Sequence, residues 1–389
     1  MKIRDIECFV LQSPQIRKDA TSSAQDDIVV LVHTDEGITG VGETDTGPFV
    51  ARAAIEAPGT HTMALGMKEL LIGADPFDTS ALWQKLYTYT CMTGRRGAVI
   101  AAMGAIDMAL WDIKGKATGL PTYKLMGGAH RPGATPYASL QPYGNTVREY
   151  GDSLIDWIER VKAAGFRAAK CECTLAGPYR HAGLSGTDEQ MTEILTACRK
   201  AAGRDFTLMV DVQYRWWDVH SCLRTLRDWG DLDLFFVETP LQIDNLAGYA
   251  HLATHAPMRI AAGEWQNTRF EFADLIHRGQ LAVVQPDVGR VGGLTEALRV
   301  CHMAEDHGRL VVPHCWKTGI GIAASVHMAL SQPHVPFVEY VPADMSDSPL
   351  RRDLLSVELT MKDGLIHPPT RPGLGIELDM KALQRFAVQ

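Results

Sequence analysis

The sequence has no basic run, no apolar stretch of the signal-peptide kind and no apolar segment long enough to span a membrane. With a formal net charge of −8, the missing basic run argues against nucleic acid or an anionic membrane as the main partner. The most apolar segment, Gly97 to Trp111, is short and carries Asp107, so it predicts a buried helix. We therefore expect a cytoplasmic protein that binds neither nucleic acid nor a membrane.

Motifs of several protein classes are missing as well. The eight cysteines are scattered from Cys8 to Cys315 without a CxxC pair, and Cys171-x-Cys173 is too little for a zinc site, so we interpret all eight as reduced core thiols. No HxH pair supports a metal-dependent barrel hydrolase, which leaves that class a weak alternative. The segment GRVGG lacks the GxGxxG spacing of a dinucleotide-binding loop. What remains is a globular chain of 389 residues, enough for two domains.

The pattern changes along the chain at about residue 130. Residues 1–130 predict an α+β domain that contains a hairpin, several helices and a polar stretch from Ser13 to Asp27, which we interpret as a mobile loop. Over residues 131–342, apolar runs alternate with amphipathic helices, which predicts a parallel sheet. Residues 343–389 return to a mixed pattern, and we expect them to pack back on the first domain.

Eight apolar runs are the predicted strands of the second domain. They are Tyr137–Leu140, Phe166–Cys171, Phe206–Val212, Leu234–Val237, Arg259–Ala262, Leu281–Val284, Leu310–Val312 and Pro336–Val338. The predicted helices between them include Val147–Ala164, Asp188–Ala202, Leu246–His255 and Leu294–His307. Runs that are apolar almost throughout are typical of parallel strands buried on both faces. Eight such strands predict an α/β fold closed into a TIM-type barrel.

An ionisable residue stands at the end of nearly every predicted strand. These residues are Glu172, Asp211, Glu238, Glu264, Asp287, His314 and Glu339. From Asp211 onward they recur after 27, 26, 23, 27 and 25 residues, close to the length of one strand–helix unit. Each of these residues, taken alone, is compatible with a solvated loop position. Because all of them follow a strand at the same point of the repeat, we expect them to lie together at the barrel mouth, where this fold has its active site.

Three consecutive strands end in carboxylates, Asp211, Glu238 and Glu264. Neighbouring strands lie about 4.8 Å apart, so the bare carboxylates would repel one another. An all-oxygen set without Cys or His favours a hard divalent cation, Mg²⁺ or Mn²⁺, over zinc. The alternative is a carboxylate cluster neutralised by Arg or Lys.

The remaining strand-end residues predict proton-transfer groups. Asp287 and His314 end adjacent strands, so the carboxylate is expected to fix the tautomer of the imidazole and make it a general base. Across the mouth, Lys170 is expected to bring a positive charge to a substrate carboxylate or to act as an acid–base group, unless it merely neutralises Glu172. Glu339 is a candidate proton donor or hydrogen-bond partner for an enolate. Together these groups predict removal of a proton next to a metal-bound carboxylate.

On these residues the sequence resembles the enolase superfamily, and within it the mandelate racemase-like subgroup. The resemblance covers essentially the whole chain and includes AIDMALWDIKGKATGLPTYKLMGG, GFRAAK, the three carboxylate strands, QPDVGRVGGLTEA and the final VPH. It implies an N-terminal capping domain over a (β/α)₇β barrel and one Mg²⁺ per subunit held by Asp211, Glu238 and Glu264. It also implies a His314–Asp287 base, a small carboxylate substrate, and a homo-oligomer that is a dimer or an assembly of dimers.

The sequence departs from the subgroup at three places. Lys170-Cys171-Glu172 stands where Lys-x-Lys is usual, so the lysine that serves as base opposite the histidine is absent. Gln213 stands where asparagine is usual. The loop after the second strand carries an extra polar segment, GPYRHAGLSG, whose side chains are candidates to reach the substrate.

The first departure favours dehydration over racemisation. Racemisation needs a base on each face of the enolate, whereas His314 alone can remove the α-proton and then protonate a departing β-hydroxyl. We therefore predict dehydration of a sugar acid, an aldonate or aldarate, to a 2-keto-3-deoxy acid. A cycloisomerase or racemase that uses Lys170 or Glu172 as second acid–base group is the alternative, and a non-catalytic binding protein is a weaker one.

The substrate contacts are predicted only as a set of side chains around the mouth. The candidates are Arg17, Tyr179, Arg180, His181, Gln213 and Trp265. Their polar and cationic character suits a hydroxylated acid better than an aromatic one.

Overall fold

A three-stranded antiparallel sheet with five helices forms the N-terminal part of the protein, which we call the cap. The computed structural model describes residues 1–18 and 24–388. The strands of the cap are β1 (Ile3–Gln12), β2 (Asp26–Thr34) and β3 (Thr39–Thr44), and its helices are α1 (Pro48–Glu56), α2 (Met67–Leu71), α3 (Thr79–Tyr89), α4 (Ala98–Thr118) and α5 (Thr122–Leu125). The predicted Ser13–Asp27 loop is correspondingly shorter, and its residues 19–23 lie outside the described residues.

The long helix α4 is the centre of the cap. Sixteen of its 21 residues are buried, in agreement with the buried helix predicted there. Strand β3 lies against it so closely that a Cβ atom on Gly40 or Gly42 would fall 2.1 or 2.0 Å from a carbonyl oxygen of α4. Glycine at these two positions therefore allows the sheet and the helix to touch backbone to backbone. Within the described residues, no helix is both long and apolar enough to cross a membrane.

Eight parallel strands form the second sheet, each but the last followed by helix. The strands are β4 (Pro136–Ser139), β5 (Ala168–Glu172), β6 (Thr207–Asp211), β7 (Leu234–Glu238), β8 (Arg259–Ala262), β9 (Val283–Val284), β10 (Leu310–Val311) and β11 (Val338–Tyr340). The helices are α6 (Val147–Ala163), α7 (Asp188–Ala202), α8 (Val219–Asp228), α9 (Leu246–His255), α10 (Thr268–His277), α11 (Val288–Val291), α12 (Leu294–Asp306) and α13 (Gly319–Leu330).

The strand order of this sheet is β10-β9-β8-β7-β6-β5-β4-β11, and the strands pair in parallel. It curls around an apolar cluster to which seven successive strands, with the residue after the last of them, contribute one side chain each: Tyr137, Ala168, Met209, Phe236, Ala261, Val283 and Val312. Side chains of this kind fill the interior of a (β/α) barrel, which is a packed core and not a pore. The α/β barrel with an N-terminal cap predicted from the sequence is confirmed.

Most predicted strand bounds differ from the structure by one or two residues. The largest shift is at the last strand, which was predicted at Pro336–Val338 and is found at Val338–Tyr340. Pro336 has no N–H to donate, so the ladder with β4 begins only at Val338. Glu339 is therefore inside the strand instead of just after it.

The C-terminal segment consists of short elements that lie against the rest of the chain. They are α14 (Pro349–Asp353), β12 (Leu355–Val357), β13 (Met361–Lys362), β14 (Leu365–Ile366), β15 (Glu377–Leu378) and α15 (Met380–Phe386). The N–H of Val388 donates to the carbonyl of Val10 in β1 (2.8 Å). The end of the chain thus contacts the first strand of the cap.

Asp107 of α4 is a buried carboxylate whose titration affects stability. Its Oδ2 accepts a hydrogen bond from the N–H of Thr295 (2.8 Å) in the first turn of α12. Burial raises the pKa of Asp107 from its ordinary 3.8 to about 7, against the opposing effect of Thr295. Between these two values the folded protein keeps a proton that the unfolded chain has lost, so stability falls as pH rises.

Asp107→Asn is therefore expected to stabilise the protein at pH 8, by about 2 kcal/mol, because asparagine keeps the acceptor without the buried charge. The gain is expected to shrink at pH 5, where Asp107 is already protonated in the folded protein. Urea unfolding at both pH values measures the effect, with the exposed Asp152→Asn as control. A gain at pH 5 as large as that at pH 8 would contradict this account.

Candidate active site

The predicted strand-end residues meet at the carboxyl ends of the parallel strands. Glu172, Asp211 and Glu238 are the last residues of β5, β6 and β7, and the register pairs Glu172 with Asp211 and Asp211 with Glu238. Glu172 and Asp211 border a cavity of about 160 Å³, which Glu238 and Asp287 do not line. Those predicted site residues that line it are Lys170, Glu172, Tyr179, Asp211, Gln213, Glu264, Trp265, His314 and Glu339.

Each of the three candidate metal ligands is held by a neutral hydrogen-bond donor. Asp211 Oδ1 accepts from the Thr239 hydroxyl (2.8 Å). Glu238 Oε2 accepts from the Gln285 amide (2.7 Å). Glu264 Oε1 accepts from the Tyr214 hydroxyl (3.0 Å). All three carboxylates are nearly or fully buried, and partners of this kind orient carboxylates that serve as ligands.

The chemistry of this carboxylate set fits a hard divalent cation. Burial raises the pKa values of Asp211 and Glu238 to about 7 and also raises that of Glu264. Their negative charge is therefore unfavourable without a nearby cation, and an all-oxygen set suits Mg²⁺. In the described part of the chain, no group of three His, Cys, Asp or Glu side chains lies close enough together to bind a metal ion as it stands. The two carboxylate oxygens of Glu238 instead accept hydrogen bonds from Lys170 Nζ (3.1 and 2.9 Å).

His314 and Asp287 form the predicted hydrogen-bonded pair. His314 Nδ1 lies 2.7 Å from Asp287 Oδ2, and its Nε2 lies 3.3 Å from Glu264 Oε2. The Asp287 carboxylate thus keeps the proton on Nδ1 and leaves Nε2 to face the cavity. Burial and the Arg290 guanidinium work to lower the pKa of His314, but the surrounding carboxylates, Glu339 first, raise it to about 9. The neutral imidazole is therefore a stronger base than an ordinary histidine.

Lys170 joins two carboxylates on the strands β7 and β11, which lie two positions to either side of its own strand β5. Its Nζ lies 2.9 Å from Glu238 Oε2 and 3.1 Å from Glu339 Oε1. Burial alone lowers the pKa of Lys170, but the two carboxylates raise it well above its ordinary value. The alternative in which this lysine neutralises Glu172 is therefore not what the side-chain contacts favour. Lys170 instead offsets the charge of Glu238 and Glu339.

Glu339 is ionised in this arrangement. Burial works to raise its pKa, but Lys170 and His314 lower it to about 2. Its Oε2 accepts a hydrogen bond from the N–H of Cys315 (2.8 Å), next to His314. Of the two roles predicted for Glu339, these contacts favour hydrogen-bond acceptor over proton donor.

Glu172, which stands where the subgroup has a lysine, faces the cavity from β5. Its Oε1 accepts a hydrogen bond from the Thr174 hydroxyl (3.1 Å). Burial raises its pKa to about 7, with Thr174 and Lys170 opposing. With the barrel closed between β10 and β11, β5 and β10 are three strands apart in a ring of eight, so Glu172 faces His314 across the cavity that both residues line.

The predicted substrate contacts fall into three groups. Tyr179, Gln213 and Trp265 line the catalytic cavity. Arg17 and His181 line a neighbouring cavity of about 640 Å³, which shares Glu172 and Trp316 with the first. Arg180 is exposed and lines neither of these two cavities.

Sequence reasoning missed four residues that line the catalytic cavity: Ser139, Tyr214, Arg290 and Trp316. Gln213 and Tyr214 both have positive φ (42° and 61°), a conformation that residues other than glycine seldom adopt. Tyr214 stacks on Trp265 with ring centroids 4.7 Å apart. Arg290 had a signal in the sequence, a charge between the apolar residues of Val288-Gly289-Arg290-Val291.

Two family models match the chain. Residues 6–127 match the mandelate racemase/muconate lactonizing enzyme N-terminal domain, and residues 153–382 match the enolase C-terminal domain-like family. Among relatives, the chain is 30% identical to a D-galactarolactone cycloisomerase of Agrobacterium fabrum, over 92% of this chain and 90% of the relative. It is 31% identical to an L-rhamnonate dehydratase of Saccharopolyspora erythraea, over 90% of this chain and 83% of the relative.

Solved structures agree with these relatives. The crystal structure of a 3,6-anhydro-D-galactonate cycloisomerase from Zobellia galactanivorans superposes with a TM-score of 0.86 at 27% identity, over all of both chains. That of a racemase from Streptomyces coelicolor A3(2) with bound magnesium superposes with a TM-score of 0.83 at 27% identity, over 99% of this chain and 100% of that one.

Proposed function

Because the chain belongs to the enolase superfamily, in its mandelate racemase-like subgroup, we propose that it is a Mg²⁺-dependent lyase that dehydrates a sugar acid. The observation that carries the proposal is the hydrogen bond of 2.7 Å between His314 and Asp287, beside a cavity lined by the four carboxylates Glu172, Asp211, Glu264 and Glu339. This pair is the single strong base of the site. An L-rhamnonate dehydratase and a D-galactonate dehydratase, each 31% identical to the chain, support this reaction class.

Asp211, Glu238 and Glu264 are the residues that would hold the Mg²⁺. When bound, the ion supplies positive charge to the substrate carboxylate and to the dianion that forms as the α-proton leaves. Lys170 adds a fixed positive charge beside Glu238 and Glu339. The buried, preorganised charges make electrostatic stabilisation the main contribution of the protein.

His314 carries both proton transfers. Its Nε2 takes the α-proton as the C–H bond breaks, while Asp287 stabilises the imidazolium through Nδ1. The imidazolium then gives the proton to the β-hydroxyl, which leaves as water when its C–O bond breaks. The remaining enol becomes a 2-keto-3-deoxy acid. One base on one side of the substrate is sufficient for this sequence of steps.

The cavity position of Glu172 favours one second candidate. A carboxyl with a pKa of about 7, across the mouth from His314, suits an acid–base group on the opposite side of the substrate. Cycloisomerases are among the relatives of the chain. The alternative is therefore a cycloisomerase or epimerase that uses Glu172, and the contacts of Lys170 make that lysine the weaker choice.

The substrate is found by screening purified protein with Mg²⁺ against a library of aldonates and aldarates, with semicarbazide to detect 2-keto acids. We expect a product signal that disappears with EDTA. If no keto acid forms from any member while Mg²⁺-dependent exchange of an α-proton occurs in D₂O, the dehydratase proposal fails and the isomerase alternative replaces it.

Glu172→Gln separates the two candidates on the identified substrate. For a dehydratase that depends on His314 alone, we expect kcat to fall less than about tenfold. An isomerase that needs Glu172 for proton transfer would lose about 10³-fold. Thr174→Val is the control, because it removes the hydroxyl that donates to Glu172 (and lies 3.4 Å from the Tyr150 hydroxyl) while it leaves the Glu172 carboxyl in place. A loss of about 10³-fold in dehydration itself would contradict the single-base account.

We further propose that the chain forms a homo-oligomer, a dimer or an assembly of dimers, on the strength of the resemblance alone, and that it lies in the cytoplasm, which its eight free cysteines favour. Sedimentation velocity of the purified protein measures the assembly.

A further inference from the structure

Two carboxylates at the end of β3 in the cap reach into the barrel. Glu43 Oε1 accepts a hydrogen bond from the N–H of Gly321 (2.6 Å), and its second oxygen accepts from the Thr318 hydroxyl. Thr318 is the N-cap of α13, and Gly321 lies in the first turn of that helix. A carboxylate at a helix N-terminus is favourably placed. Glu43 therefore anchors the start of α13 to the cap.

This anchor lies next to the catalytic histidine in sequence, because α13 begins five residues after His314. The fit is tight: a Cβ atom on Gly321 would fall 2.7 Å from Glu43 Oε1. The intervening loop has a second contact with the cap, since Lys317 Nζ donates to the carbonyl of Asp26 in β2 (2.6 Å). The segment that carries His314 is thus held from the cap at two points.

Asp45, two residues after Glu43, contacts the helix that begins at Asp287, the second residue of the His314–Asp287 pair. Arg290 Nε donates to Asp45 Oδ1 (2.8 Å), and Nη2 contacts Oδ2. Both side chains are at least nine-tenths buried. Arg290 belongs to α11, whose N-cap is Asp287, and its N–H donates to Asp287 Oδ1 (3.1 Å). Asp45 therefore fixes the helix that begins at the orienting aspartate.

Besides Asp45, the Arg290 guanidinium lies close to two carboxylates of the site, Asp287 and Glu264. Its Nε lies 3.8 Å from Asp287 Oδ2, the oxygen that receives the bond from His314, and its Nη1 lies 3.7 Å from Glu264 Oε2. Asp45 offers the guanidinium a closer partner than either. Without the Asp45 carboxylate, Arg290 would compete with His314 for Asp287.

We propose that Glu43 and Asp45 of the cap are positioning residues that hold the two halves of the His314–Asp287 pair in register. The proposal rests on the proposed role of this pair as the base. In this proposal the cap contributes to proton transfer indirectly. Glu43 acts through Thr318 on the segment that carries His314, and Asp45 acts through Arg290 on Asp287.

Asp45→Asn tests the contact between Asp45 and Arg290, and Asp244→Asn is a control for the loss of an exposed ion pair between cap and barrel. Asp244 also pairs with an arginine across the boundary between cap and barrel (Arg96, 3.0 Å), but that pair has no contact with the dyad. We expect Asp45→Asn to lower kcat roughly 100-fold with little change in KM, the size that a misplacement of about 1 Å produces. Asp244→Asn is expected to leave kcat unchanged.

A readout without substrate separates this proposal from the proposed function. In ¹⁵N-histidine-labelled protein, the Nδ1 proton of His314 is identified by its loss in His314→Asn. We expect its downfield signal to move upfield in Asp45→Asn and to stay in place in Asp244→Asn. If the signal moves but no sugar acid is dehydrated by the wild type, the proposed function fails and the positioning role stands.

Thr318→Val tests the contact between Glu43 and the start of α13, and it remains informative if Asp45→Asn does not fold. It removes one hydroxyl, and the same upfield shift and loss of kcat are expected in smaller measure. The proposal is overturned if Asp45→Asn and Thr318→Val both match Asp244→Asn in kcat and in the His314 signal.

Discussion

His314→Asn is expected to lower kcat by about 10⁴-fold, the upper end of what general acid–base groups contribute, because this side chain serves as base and then as acid. Asparagine keeps a donor toward Asp287, so the fold and the cavity should persist. Turnover of the sugar acid found in the screen, followed by keto-acid formation, measures the effect.

The control for this substitution is His302→Asn, which changes an exposed histidine of α12. Binding of Mg²⁺ to His314→Asn is expected to match the wild type, since the histidine is not among the candidate ligands. A variant that kept more than about a tenth of the wild-type kcat would remove His314 from the mechanism, because a loss that small is below the contribution of a general base.

Glu238→Gln is expected to abolish activity through the loss of Mg²⁺. Its carboxylate is the middle one of the three strand ends, and it is fully buried. Removing a ligand should weaken Mg²⁺ binding by more than about 100-fold, since loss of an outer hydrogen-bond partner alone typically costs 10–100-fold. Gln285→Leu, which removes such a partner from Glu238, is the graded comparison.

Calorimetric titration with Mg²⁺ measures the two affinities directly. Unfolding in urea gives a second readout, because a cation that binds only the folded state stabilises it in proportion to its occupancy. Added Mg²⁺ should stabilise the wild type and not Glu238→Gln. Equal stabilisation of both proteins by Mg²⁺ would show that Glu238 does not hold the ion.

The functional residues at the strand ends could be predicted because the strand–helix unit of a barrel repeats along the sequence. Asp211, Glu238 and Glu264 were found from a spacing close to one strand–helix unit, and the register places Asp211 beside Glu238. The same reasoning predicted that Asp287 and His314 lie within hydrogen-bonding reach, and they are 2.7 Å apart. Which strands are neighbours in a parallel sheet follows from the order of the strand–helix units, so the sequence alone is enough to predict these contacts.

Contacts across the barrel could not be predicted in the same way. Lys170 was expected at the mouth, but its choice of Glu238 and Glu339 over Glu172 depends on which buried charges lie opposite one another. Arg290 pairs with Asp45 over 245 residues of chain. No periodicity encodes such a pair, since it depends on how the cap docks on the barrel.

The most direct measurement of the single-base account is ¹H NMR of the reaction mixture in D₂O with Mg²⁺ and the sugar acid found in the screen. We predict a 2-keto-3-deoxy acid as the product, while the remaining substrate keeps its configuration at the α-carbon. Appearance of the α-epimer or of a ring-opened or ring-closed isomer, without keto acid, would contradict the account and place a second acid–base group opposite His314.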